Sequence, residues 1–164
     1  MKKGYGGQSR RTLKMFRNIL LTFTAFVLAL NSPAQASSDT SQVNRKQLRN
    51  VIAFESATAV TTLVGLSVLW YADYPKSSFH FINDNDEWLQ MDKLGHVTAS
   101  YYIGRTGYEL LRLPGVERKK AIWYGGATGF VYLGIVEIMD GFSAGWGASM
   151  GDVAANALGS AAFH

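Results

Sequence analysis

The sequence predicts an all-α fold: a compact bundle of about four apolar, Gly/Ala-rich helices behind an N-terminal signal peptide. Three observations carry this reading. Long, nearly uncharged segments are broken at Pro75, at Pro114-Gly115 and at Asp140-Gly141, the residues at which helices stop. Small residues recur one helical turn apart, at Gly147, Gly151, Ala155 and Gly159 and at Gly125 and Gly129, which lets helix backbones approach closely. The first 36 residues have the three-part order of an export signal.

Within that leader, Met1 to Arg17 is basic and polar, Ile19 to Leu30 is apolar apart from Thr22 and Thr24, and Ala34-Gln35-Ala36 has the small-x-small pattern of a signal-peptidase site. The apolar stretch is short of the roughly 20 residues that a membrane span needs. Residues 37–46 are expected to be a flexible mature N-terminus, and 47–163 a single helical domain. Its first helix is expected over Gln47–Tyr71, uncharged from Ser56 onward. Lys76 to Met91 is polar and acidic, with Asp84, Asp86 and Glu87 among aromatic residues. A second helix is expected to start at Asp92, a good N-cap residue, and to end before Pro114. A third runs from Arg118, Lys119 and Lys120 to Asp140-Gly141. The fourth lies between Gly147 and Phe163, with Ser149-Met150-Gly151-Asp152 as a capping box that starts its regular part at Met150.

Charge and composition exclude several functions. Lys and Arg number 16 against 12 Asp and Glu, but six of the basic residues and no acid lie in residues 1–36. The remaining 128 residues carry ten basic and twelve acidic groups, so the positive balance belongs to the leader and no nucleic-acid partner is expected. Cysteine is absent, which rules out disulfides, thiolate metal sites, a cysteine nucleophile and a lipid-modified cysteine within this sequence.

Membrane lipid is an expected partner. Trp70, Trp88, Trp123 and Trp146 fall near predicted helix ends, as in an interfacial belt. Against a four-span arrangement, only the first helix approaches a clean span. If the leader is exported, Arg45, Lys46, Arg49, Arg112, Arg118, Lys119 and Lys120 would all stay outside, which inverts the positive-inside rule. A compact or peripherally membrane-bound helical domain is therefore preferred to a four-span protein.

In an up-down bundle, the start of the second helix, the end of the third and the start of the fourth share one end. That end would collect Asp92, Lys93 and His96, then Glu137 and Asp140, then Asp152 and Asn156. Each set lies on one helix face, at i,i+4 or i,i+3 spacing. Asp92 and Asp152 suit helix N-termini, whose dipole favours acids. Glu137 and Asp140 face an unfavourable dipole at a helix C-terminus, and Lys93 is the expected compensating charge. Two chemistries fit. Asp92, His96, Glu137, Asp140 and Asp152 supply oxygen and imidazole ligands that suit zinc, manganese or magnesium. His96, oriented by a carboxylate such as Asp92 or Glu137, could act as a general acid and base. Ser143 and Ser149 are set aside as nucleophiles.

The string Asp92-Lys93-x-x-His96, then Glu137-x-x-Asp140-Gly141, then Gly145-Trp146-x-x-Ser149-x-x-Asp152-x-x-x-Asn156-x-x-Gly159 resembles the YfiM-like family. Its members are small exported bacterial proteins, often described as periplasmic lipoproteins of unknown function. The resemblance runs from about Phe79 to Phe163 and implies an exported envelope protein without implying an activity. The same motif order is similar, more loosely, to that of VanZ-like membrane proteins. Two function classes follow. One is a membrane-associated helical scaffold, or a component that binds an envelope protein partner, with a structural polar cluster. The other is a metal- or histidine-assisted hydrolase acting on envelope lipid or cell-wall material.

Overall fold

The computed structural model describes residues 42–69, 71–84 and 90–162, all within one unit, Ser37–His164. The leader, Trp70 and Trp88 lie outside the described residues. Among the described residues four helices run in order: α1 Arg45–Leu69, α2 Met91–Arg112, α3 Arg118–Gly141 and α4 Met150–Ala161. The all-α expectation holds, with a single turn of 3-10 helix at Tyr71–Asp73 and two short strands added to it.

α1 begins two residues earlier than expected. Asn44 caps it, its Oδ1 accepting from the Gln47 backbone N–H at 3.0 Å. The Asn44 N–H in turn donates to the Pro114 carbonyl at 2.9 Å. Arg45 and Lys46, expected in a flexible segment, are therefore part of the helix. α2 also differs at its start. Gln90 takes the N-cap position with a left-handed φ of 65° and no side-chain cap, so Asp92 sits inside the first turn rather than capping it. At α4 the expected cap is present, with the Asp152 N–H donating to Ser149 Oγ at 3.2 Å. The reciprocal half of the box is missing, because the Ser149 N–H donates to Glu137 Oε2 instead, at 3.0 Å.

α2, α3 and α4 pack against one another, and glycines set their spacing. A Cβ on Gly129 would strike the Ser100 carbonyl, and one on Gly125 would strike the backbone of Tyr108. Gly159 faces the Val97 carbonyl in the same way. At such separations side chains bond to the neighbouring backbone: Ser100 Oγ donates to the Asn156 carbonyl and Ser160 Oγ to the Gly126 carbonyl, each at 2.7 Å.

The two-residue strands are parallel, β1 Phe81–Ile82 on β2 Ala148–Ser149, with Phe81 opposite Ala148 and Ile82 opposite Ser149. Together with bonds from the Ser77 N–H to the Phe142 carbonyl and from the His80 N–H to the Gly141 carbonyl, they zip the loop after α1 onto the α3–α4 connection. This pairing was not expected from the sequence, because two residues carry no readable period.

Burial is inverted. The largest side chains with almost no exposure are Asn156, Ser100 and Ser149. Of the residues of α1 only Val51 is buried, and Ile52, Val60, Val64 and Val68 form an exposed stripe at multiples of four residues. Tyr124, Val131, Ile135 and Ile138 form an exposed stripe along α3, at successive spacings of seven, four and three residues.

Thermal unfolding of glycine variants tests this packing. Gly125→Ala and Gly129→Ala should each destabilise by about 1–3 kcal/mol, since backbone must move to admit the methyl group. Gly65→Ala and Gly134→Ala meet nothing within 4 Å and should be neutral, or stabilising by about 0.5–1 kcal/mol through helix propensity.

Candidate functional site: a buried ionic cluster

The polar residues picked out in the sequence converge at one end of the bundle, where α2 and α4 start and α3 stops. Lys93, in the first turn of α2, lies at the centre. Its Nζ is 2.6 Å from Asp84 Oδ1, 3.1 Å from Asp152 Oδ1 and 3.8 Å from Asp92 Oδ2. Ser149 Oγ also donates to Asp84 Oδ1, at 2.7 Å. Asp84 joins the cluster from the loop after β1. It lies in an irregular acidic segment, so no helical spacing linked it to the others; the β1–β2 pairing brings it beside Ser149.

His96 lies one turn further along α2. Its Nδ1 is 2.9 Å from Asn156 Oδ1 and 3.8 Å from Glu137 Oε1, and its Nε2 is 3.8 Å from Asp92 Oδ1. His96 Nδ1–H donates to Asn156 Oδ1, and Nε2 faces Asp92. Glu137 is 4% exposed; its Oε2 accepts from the Ser149 N–H, while its Oε1 has no hydrogen-bond partner among the described residues. Asp140 accepts a hydrogen bond from the Tyr71 hydroxyl.

The compensation of the α3 carboxylates therefore differs from expectation. Lys93 neutralises Asp84 and Asp152, on the loop and on α4. Glu137 is served by a backbone N–H and His96, and Asp140 by a tyrosine. An ammonium on the first turn of α2 reaches the first turn of α4 more readily than the last turns of α3.

Charge and burial pull against each other here. Burial acts to raise the Asp84 carboxyl, but hydrogen bonds from Lys93 and Ser149 and the Lys93 charge outweigh it and hold the group below its ordinary value. Burial acts to lower Lys93, and its bonds to Asp84 and Asp152 outweigh that, so the ammonium is held on above its ordinary range. Asp152 goes the other way: burial dominates and raises it in spite of Lys93.

A cleft of about 210 Å³ opens beside the cluster, lined by Asp84, Asp92, His96, Asp140 and Asp152 with Leu66, Tyr71, Ile82, Val136, Trp146 and Gly147. Trp146 packs edge-on to Tyr71 and lies 4.1 Å from the Tyr74 ring, forming an aromatic wall to the cleft. One ligating atom from each of Asp92, His96 and Asp152 lies within 4.8 Å of the others. Of the five expected metal ligands, Glu137 and Asp140 fall outside this trio.

Ser143 is set aside as a nucleophile on the expectation that the sequence holds no Gly-x-Ser-x-Gly string, but Gly141-Phe142-Ser143-Ala144-Gly145 has that spacing. An elbow needs a strand before it and a helix after it. Here the string follows α3, and Ser143 is buried, with its Oγ accepting from the Gly145 N–H at 3.2 Å. Ser143 remains a turn residue.

The fold and cluster define a small helical protein organised around buried charge. Residues 80–164 match the family described as predicted periplasmic lipoprotein (DUF2279), and the chain belongs to that family. It is thus an exported, envelope-associated protein. No curated protein and no solved structure matches it. The match holds Asp84 and the seven polar residues read from the sequence, while α1 and Tyr71 lie before it. The 164 residues contain no cysteine, so no thiol among them can carry the lipid of the family's description.

Two variants test the cluster. Lys93→Met should destabilise by about 3 kcal/mol or more, because Asp84 and Asp152 keep their burial and lose their counter-charge. Adding Asp84→Asn should recover part of that loss. Because Asp84 titrates below its ordinary value, its contribution is present above the unfolded pKa of about 3.9 and is lost as the pH falls through the folded value. The difference in thermal midpoint between wild type and Asp84→Asn should therefore be largest near neutral pH and close in acid.

Proposed function

We propose that the protein is a membrane-associated helical scaffold of the bacterial envelope, with its apolar helix faces against lipid and its ionic cluster clamping one end of the bundle. The exposed apolar helix faces, beside polar side chains buried between the helices, carry this reading. Ser100, Asn156 and Ser160 are buried, while Val60, Val64 and Val68 of α1 are each more than half exposed. Two helical segments, Arg45–Asp73 and Arg118–Gly141, are long and apolar enough to cross a membrane by length and composition. In lipid, helices are held by small residues at close approach and by polar bonds between them, as the contacts of Gly125, Gly129 and Ser100 are here. A scaffold also leaves His96 and Glu137 as structural groups. His96→Gln and Glu137→Gln should then keep the fold with modest stability loss.

Membrane extraction tests the reading. Wild type should stay with the membrane fraction through high-salt and alkaline washes. Val60→Lys with Val64→Lys should leave it, since each lysine placed in hydrocarbon costs about 2.5–3.5 kcal/mol. Release of the wild type by an alkaline wash would overturn the reading.

The spacing of Asp92, His96 and Asp152 favours a second reading, a metal- or histidine-assisted hydrolase acting on envelope lipid or cell-wall material. Asn156 would orient the imbidazole ring of His96, as partners behind a ligand do in metal sites. The scaffold is preferred because the Lys93 ammonium already supplies positive charge to Asp152 and Asp92. Metal analysis of the purified protein separates the two. Near-stoichiometric zinc or manganese that disappears in His96→Ala would favour the hydrolase, and metal-free protein with a small stability change would favour the scaffold.

A further inference from the structure

The two ends of the bundle carry opposite charge. The ionic cluster makes one end acidic. At the other, the bond from the Asn44 N–H to the Pro114 carbonyl, 2.9 Å, seats the start of α1 beside the turn between α2 and α3. Two basic runs separated by more than sixty residues of sequence meet there: Arg45, Lys46 and Arg49 on α1, and Arg118, Lys119 and Lys120 on α3. All six are exposed. The acids nearby are Glu109 and Glu117, and Glu117 is engaged by Lys120 at 3.1 Å. Immediately inside this ring, one turn along α3, Trp123 and Tyr124 are 62% and 71% exposed. Aromatic rings of this kind settle at the headgroup level of a bilayer, and basic side chains at the same depth meet lipid phosphates.

We propose that this basic end is a docking surface for the headgroups of anionic phospholipid, which fixes the direction in which the bundle meets the membrane. The inference rests on the membrane-associated reading above. The charge ring gives lipid-class preference, and the exposed stripes of α1 and α3 that start beside it give the apolar contact. The acidic end, with its cleft, is then held away from the anionic headgroups that attract the basic end.

The test is flotation of the full chain from dilute detergent with vesicles of pure phosphatidylcholine or of phosphatidylglycerol. The wild type is compared with a variant carrying Arg45→Gln, Lys46→Gln, Arg118→Gln and Lys119→Gln. A charge-preserving control carries Arg45→Lys and Arg118→Lys. Residues 1–36 are common to all three chains, so their basic groups cancel in the comparison. Wild type should float with both vesicles and partition more strongly to phosphatidylglycerol. The neutral variant should lose on the order of a thousandfold in that partition, as four basic side chains near an anionic surface imply. The lysine control should keep the preference, and salt of about 0.5 M should erase it. Equal flotation of wild type with both vesicles, or a preference unchanged in the neutral variant, would overturn the inference and leave membrane association standing. Flotation with neither vesicle would overturn membrane association itself.

Discussion

The ammonium of Lys93 lies between the carboxylates of Asp84 and Asp152, at 2.6 and 3.1 Å, and in doing so ties together a loop, α2 and α4. The other polar contacts of this end build outward from that point. Ser149 bridges Asp84 and the first turn of α4, and its N–H holds Glu137 of α3. His96 joins α2 to Asn156 of α4. Removing the one cation would leave buried carboxylates on two elements without compensation, a far larger penalty than the loss of a surface ion pair. The bundle end is thus fixed by charge where a soluble domain of this size would use an apolar core.

That arrangement is consistent with the rest of the packing. The interior of the α2–α3–α4 core combines glycines, serines and an asparagine with Leu110, Leu111 and Leu133, while Tyr124, Val131, Ile135 and Ile138 of α3 face outward. Close backbone approach gives many weak contacts and short polar bonds, while the apolar stripes of α1 and α3 stay uncovered. The ionic cluster, the small-residue contacts and the exposed valines of α1 are three consequences of one design.

The family match adds a division of the chain. All of the cluster's charged residues fall within residues 80–164, whereas α1 precedes that segment. α1 touches the rest sparingly: through Asn44 at its start, Val51 along its length, the Tyr132 hydroxyl donating to Thr62 Oγ1 at 3.0 Å, and Tyr71 just beyond its end. The matched segment carries the conjunction of charges, and α1 carries much of the apolar exposure. In the scaffold proposed above, that helix would supply membrane affinity that does not depend on a lipid-modified thiol, since the 164 residues contain no cysteine.

By itself the sequence determined the helical class, the approximate limits of all four helices, the Gly125 and Gly129 contact face, the Ser149 cap and the gathering of Asp92, Lys93, His96, Glu137, Asp140, Asp152 and Asn156 at one end. These follow from local rules: helical period, stop residues, capping, and the alternation of direction in a bundle. Only the tertiary structure decided which charge meets which. Asp84 entered the cluster through a two-residue strand pairing that leaves no periodic trace. Lys93 turned toward α4, because two first turns lie side by side. Glu137 was served by the Ser149 N–H, which cost the α4 capping box its reciprocal bond. The outward direction of the apolar faces was likewise a tertiary result. A helix with apolar residues around much of its circumference does not state which face its neighbours will cover, and here glycine contacts, set by the closest approach of backbones, made that choice.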